Sequence, residues 1–181
     1  MNLFRRPKYN PQPNKSNFNV SEIIEICIDQ LSHLVHSKNI IVDYKIDPSL
    51  QVYAEPSSIQ IILRNLISNA IKYSYEGGNI KIEAVEQIKD ITINVIDNGI
   101  GIDSKKVKDI LIEYQSKKGT KGEEGLGLGL KLSRDLALAN DGRLSIKSTP
   151  HKNTVVTLSL PKATIQKHTQ LKDHVAAMDR I

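Results

Sequence analysis

The chain has one cysteine, Cys27, no tryptophan and only two phenylalanines among its 181 residues. A lone cysteine excludes an internal disulfide framework and any multi-cysteine zinc site, and it fits a reducing compartment. So few large aromatics argue against a base-stacking platform for single-stranded nucleic acid. No apolar run reaches the ~18 residues that a membrane-spanning helix requires, and Met1–Pro13 has basic residues without the apolar stretch of a signal peptide. The chain therefore reads as soluble and unsecreted. Its length suits one domain, able to bury a core without metal or disulfide support.

Acidic residues are absent from positions 1–20, where Arg5, Arg6, Lys8 and Lys15 stand unopposed. The last twenty residues hold Lys162, Lys167, Lys172 and Arg180 against Asp173 and Asp179, so the formal net charge of +5 is concentrated at the two ends. The middle is close to neutral. Nucleic-acid binders usually carry basic charge on the folded face, so that class loses ground and the basic ends read as solvated arms.

Residues 1–19 are rich in proline and asparagine and read as a linker or extended arm. A helix follows, with Ser21 as its expected N-cap; Ile23, Ile24, Ile28, Leu31 and Leu34 recur at helical spacing up to Lys38–Asn39. Strands are expected at 40–46 and around 52–54. A long helix opens at Pro56, where proline is tolerated, and runs to about Tyr75 before Gly77-Gly78. Strands at 79–86 and 90–97 alternate apolar and polar residues. A short helix near 104–113, a polar lysine- and glycine-rich stretch from Gln115 to Gly125, a helix from about Leu126 to Asn140 and strands at 143–148 and 154–160 complete the pattern. The tail beyond Pro161 has apolar residues at spacings a helix uses. Strands in pairs with helices between them predict an α+β, two-layer sandwich: a mixed, mostly antiparallel sheet with helices on one face.

Three clusters carry chemistry. On the long helix, Asn65, Asn69 and Lys72 follow one another at i, i+4 and i+7 and share a stripe beside the apolar face. An asparagine carbonyl is a hard, neutral ligand suited to Mg²⁺, and a lysine one turn on offsets phosphate charge. The bland alternative is a polar helix stripe, although two asparagines one turn apart are poor helix formers. In the second cluster a strand ends at Asp97, and Gly99 and Gly101 follow, with Ile100 and Ile102 between and beyond them. Such a turn is common. It is also what a flat base needs: a carboxylate to accept from an exocyclic amine, backbone free to approach, and apolar walls. The third cluster, Gly125-Leu126-Gly127-Leu128-Gly129-Leu130, stands immediately ahead of a helix. Its exposed N–H groups and helix N-terminus favour phosphate, though a flexible hinge has the same composition. Lys117, Lys118 and Lys121 precede it and are placed either to touch phosphates or to keep a loop in water. The segment is neither a P-loop nor a Rossmann turn.

In this order and spacing the three clusters resemble the N, G1 and G2 boxes of the catalytic and ATP-binding domain of sensor histidine kinases. That domain belongs to the GHKL family of the Bergerat fold, with Hsp90, DNA gyrase and MutL. The resemblance covers about residues 18–161. It implies an ATP site beneath a lid at about 114–125, with the residue matching Asn69 holding Mg²⁺ and the one matching Asp97 reading adenine. Asn65, Lys72 and Tyr73 match positions near the nucleotide, and Gly99, Gly101, Ile102 and the stretch from Gly125 to Leu130 match the loops that wrap it. Residues 1–17 would be a linker or a remnant of the helical dimerisation domain, and 162–181 an extension. The expected partners are ATP or ADP, a histidine-bearing dimerisation domain and a response regulator. The isolated domain is expected to be a monomer in the cytoplasm, as part of a larger membrane sensor or alone.

Departures from that pattern are specific. Residues 109–114 lack the phenylalanines usual before the lid, and Lys152-Asn153-Thr154 replaces a glycine-containing turn. None of the five histidines is followed by an acidic residue, the pattern of a phosphoacceptor. Where hydrolysing relatives carry a glutamate four residues before the magnesium asparagine, this chain has Asn65. An amide is no general base, so slow intrinsic hydrolysis is expected. The other readings are a serine kinase of the anti-sigma-factor type and a non-catalytic nucleotide- or protein-binding module.

Overall fold

The computed structural model describes residues 12–103, 107, 110, 119–123 and 128–163. The expected arm before residue 12, most of the expected helix at 104–113 and the tail beyond 163 lie outside the described residues.

Strand β1 (Ser16–Asn19) leads directly into α1 (Val20–Ser37). Then come β2 (Ile41–Tyr44), β3 (Gln51–Ala54), α2 (Pro56–Tyr73), β4 (Asn79–Glu86) and β5 (Asp90–Asp97). Helix α3 (Gly129–Ala139) precedes β6 (Arg143–Thr149) and β7 (Asn153–Pro161). The main sheet has five strands in the order β2-β4-β5-β7-β6. Only β2 and β4 are parallel; the remaining neighbours are antiparallel.

Two expectations need correcting at the N-terminal side. Residues 16–19 are not linker but a strand, paired antiparallel with β3 in a separate two-stranded sheet. Polar Ser16-Asn17 and Asn19 hid it, because an edge ribbon needs little apolar alternation. Ser21 is not the N-cap of α1 either. That position belongs to Asn19, whose side-chain amide donates to Glu22 at 3.2 Å, and Ser21 is buried in the first turn.

Helix ends follow their local chemistry. After α1, Asn39 takes a left-handed φ of 51°, and the amides of Asn39 and Ile40 return to the carbonyls of His36 and Val35. This is the Schellman arrangement with asparagine in place of glycine. Helix α3 closes in the same way, but with Asp141 at the left-handed position (φ 56°) and Gly142 one residue on. Gly142 is needed for a different reason: a Cβ there would lie 2.5 Å from the Ser159 carbonyl oxygen.

The core lies between the helices and one face of the sheet. Helix α2 contributes Ile59, Ile62, Leu63, Leu66 and Ile67, and the sheet answers with Ile80, Ile82, Ile91, Ile93, Leu158 and Leu160, all essentially sealed from solvent. Truncating Leu63 to alanine at the centre of this contact is expected to cost about 2–5 kcal/mol, measurable as a lowered urea midpoint at unchanged slope.

Candidate functional site

Strand β5 delivers the central side chain of the site by simple alternation. Ile91, Ile93 and Val95 all face the core, so the next residue of the same parity, Asp97, also points inward. It is 5 % exposed. Its Oδ1 accepts the Gly99 amide at 3.0 Å. Burial pushes its carboxyl up to about 6, and the Gly99 hydrogen bond opposes that only in part.

Beside Asp97 lies a cleft that opens to solvent. Leu66, Ala70, Val95, Ile146 and Val156 make its apolar lining, with Asn69 and Tyr73 of α2 on one wall and Ile100, Gly101 and Ile102 on the other. Ile110 and Leu130 also reach it. A flat apolar slot with one buried carboxylate has the character of a site for a heteroaromatic ring bearing an amine.

The turn after β5 is stitched on both sides. The Ile100 amide donates to the Tyr73 carbonyl at 3.1 Å, and the Ile100 carbonyl accepts from the His151 amide at 2.8 Å. The Ile102 amide donates to Ser148 Oγ at 2.8 Å. Any Cβ on Gly99 would overlap the Tyr73 carbonyl oxygen, and one on Gly101 (φ 63°) would overlap that of Thr149. Both glycines are thus required by contact with the protein's own backbone.

The first cluster is divided between two clefts. Asn69 faces the cleft, and its side-chain amide makes no hydrogen bond among the described residues. Asn65, one turn earlier, turns to α3: its Nδ2 donates to Ser133 Oγ at 2.9 Å. It lines a second, more open cleft with Arg64, Ser68, Gly129 and Leu132. Gly129 is what permits that approach, because a Cβ there would overlap Asn65 Oδ1. The ammonium of Lys72 sits 5.0 Å from the centre of the Tyr73 ring, a cation–π contact. Leu128 is the N-cap residue of α3 and is exposed, whereas Leu130 faces the first cleft. Gly125, Leu126 and Gly127 lie outside the described residues, as do Lys117 and Lys118.

Two residues that were not among the expected site residues also join the cleft region. Thr154 lines the cleft and pairs in register with Asp97, and Ser148 Oγ lies 3.0 Å from Thr154 Oγ1 while donating to the Asn153 carbonyl. The β5–β7 register brings Thr154 to Asp97, and the β6–β7 register sets Ser148 beside Thr154.

The uncommitted Asn69 amide fits a Mg²⁺ ion that keeps water and phosphate oxygens as its other ligands. Among the described residues no cluster of three or more His, Cys, Asp or Glu stands ready to hold a metal by itself.

Residues 54–164 match the family described as histidine kinase-, DNA gyrase B-, and HSP90-like ATPases, and the chain belongs to that family. Within it, the relatives that the chain resembles are sensor histidine kinases. The chain is 33 % identical over 148 residues to an uncharacterised sensor-like histidine kinase of Rhizobium meliloti, covering 80 % of this chain and 28 % of that protein. It is 35 % identical over 119 residues to the sensor histidine kinase WalK of Bacillus subtilis, covering 64 % of this chain and 20 % of that one. The chain thus spans about a quarter of the length of the curated relatives it matches. The catalytic domain of the histidine kinase ThkA superposes with a TM-score of 0.73 at 25 % identity, covering 82 % of this chain and 95 % of that domain. No helix among the described residues is long and apolar enough to cross a membrane.

Proposed function

We propose that this domain holds MgATP with its adenine against Asp97 and its phosphates toward Asn69, presenting the γ-phosphate to a histidine on a separate helical domain. The observation that carries the reading is the buried, ionisable Asp97 at the floor of an apolar slot whose other wall presents Asn69. In this arrangement Asp97 accepts from the adenine amino group, and Ile100, Ile102 and Val156 enclose the ring. Tyr73 closes the wall toward the ribose. Asn69 contributes a carbonyl oxygen to Mg²⁺, which when bound neutralises charge on the transferring phosphoryl group. The backbone amides from Gly125 to Leu130 and the start of α3 receive phosphate oxygens, and Lys72 offsets their charge.

Asn65 has a positioning part here: its bond to Ser133 ties α2 to the start of α3, fixing the metal-bearing helix against the phosphate-binding one. No carboxylate stands at position 65 to activate water. Transfer rather than hydrolysis is therefore the reaction the site serves, driven by alignment and charge neutralisation. The next partner is a response regulator. ThkA, of the same fold, is known in complex with the response regulator protein TrrA.

The test has two stages. MgADP or a non-hydrolysable ATP analogue is expected to raise the melting temperature of the wild type. Labelled ATP is then expected to phosphorylate a supplied histidine-bearing helical domain, and not a serine-bearing protein substrate. Intrinsic ATPase turnover is expected to be far slower than that transfer. Rapid hydrolysis that survives Asn65→Ala would overturn the assignment.

A further inference from the structure

Lys38 ends α1, is 2 % exposed, and lies outside the three clusters read from the sequence. Its ammonium donates to the Ile71 carbonyl at 2.9 Å, the Lys72 carbonyl at 2.8 Å and Glu123 Oε1 at 2.7 Å. All three of its donors are thereby used. A buried ammonium costs several kcal/mol unless it is paired. Two compensating groups are carbonyls at the C-terminal end of α2, where the helix dipole is negative. Those two would suffice for a helix cap. The third comes from a segment far along the chain, Gly119–Glu123.

That segment is a tight strap organised around the same glutamate. The Glu123 carbonyl accepts the Gly119 amide at 2.8 Å, and its Oε2 accepts the Lys121 amide at 2.7 Å. One carboxylate thus joins Lys38 to the strap's own turn. Burial by itself raises the Glu123 carboxyl, but the hydrogen bonds from Lys38 and from backbone amides outweigh it and hold the group below its ordinary range. So placed, the strap lays Thr120 across the end of α2: its amide donates to the Lys72 carbonyl at 3.2 Å and its hydroxyl to the Ser74 carbonyl at 2.6 Å. Lys121 Nζ donates to the Ser37 carbonyl at 3.1 Å and pairs with Glu76 at 3.2 Å.

Three consecutive carbonyls are consequently held from two sides. The Lys72 carbonyl is bound by Lys38 and the strap, that of Ser74 by the strap, and that of Tyr73, between them, by the Ile100 amide of the opposite wall. Tyr73 is a wall of the cleft. The geometry points to the Lys38–Glu123 pair as a latch that fixes the strap and the Tyr73 wall together and so sets how long a nucleotide stays bound. Lys38 is a positioning residue in this scheme, acting through the α2 terminus without touching the ligand. The inference rests on the nucleotide reading above.

The test compares wild type, Glu123→Ala, Lys38→Met and the double variant by the dissociation rate of a fluorescent MgADP analogue chased with unlabelled ADP. Tryptic cleavage after Lys121 in the nucleotide-free chain is followed in parallel. Glu123→Ala is expected to speed dissociation about tenfold and to hasten cleavage. The double variant is expected to dissociate no faster than Lys38→Met alone, because both changes open one latch. If Lys38→Met fails to fold, Glu123→Ala decides alone. Binding by the wild type with an unchanged rate in Glu123→Ala would overturn the latch and leave the nucleotide site standing. Multiplicative effects in the double variant would also overturn it. Absence of binding by the wild type would overturn the site and the latch's effect on nucleotide residence together, whereas faster cleavage would then report the strap contact alone.

Discussion

Asp97→Asn is expected to stabilise the empty domain while weakening nucleotide binding by about 10- to 100-fold. Both halves follow from one buried carboxylate. Its pKa stands at about 6 in the folded chain against an ordinary 3.8. The folded state therefore binds this proton more tightly than the unfolded state. Stability from this group is fully present below pH 3.8 and is lost as pH rises through about 6. At neutral pH the ionised carboxylate costs up to about 3 kcal/mol, and the isosteric amide removes that cost. Since about 1 kcal/mol moves the melting temperature of a chain this size by about 2–4 °C, the nucleotide-free variant should melt several degrees higher. Binding moves the other way. The carboxylate accepts from an adenine amine, and a hydrogen bond to a charged group contributes about 1.5–3 kcal/mol, which is the stated loss in affinity. The same logic makes wild-type affinity fall below about pH 6 and makes that of Asp97→Asn insensitive to pH there. Calorimetric melting and fluorescent-nucleotide titration from pH 5 to 8 check both. A variant that melts lower would show that the carboxylate is better compensated than its surroundings indicate.

Gly101→Ala carries the second large effect, and here stability and binding fall together. The residue has a φ of 63°, and its missing Cβ would overlap the Thr149 carbonyl oxygen. A left-handed alanine costs about 1 kcal/mol or more by itself. A clash with backbone cannot be relieved by turning a side chain. Relief requires the turn to leave β6, breaking the Ile102–Ser148 bond and the Ile100–His151 bond, which together hold the cleft wall. The expected cost is about 3 kcal/mol or more, with nucleotide binding lost to detection. Gly122→Ala is the control. Gly122 also has a positive φ, of 81°, but a Cβ there meets nothing within 4 Å. It should therefore cost only the conformational penalty. Equal losses at the two positions would contradict the role given to the Thr149 contact.

Much of the fold was readable from local rules. Proline at the start of α2, the alternation along β4 and β5, and the apolar period of α1 and α2 each place an element within a few residues, because these signals act over one or two turns of chain. The sequence by itself also determined where Asp97 points, since parity along β5 admits one answer once Ile91, Ile93 and Val95 are inside. It determined the family too, through the spacing of the asparagine, aspartate and glycine clusters.

The tertiary structure decided what those residues do to one another. It separated Asn65 from Asn69, because residues one turn apart on a helix share a stripe yet meet different neighbours: Ser133 of α3 for Asn65, the cleft beside Asp97 for Asn69. It made a strand of Ser16–Asn19, whose pairing partner lies more than thirty residues on. It brought Thr154 and Ser148 to Asp97 through the β5–β7 and β6–β7 registers, and Lys38 to Glu123 across 85 residues. Contacts of that separation leave no periodic mark on the chain. They exist only once burial of the core has fixed the backbone that carries them.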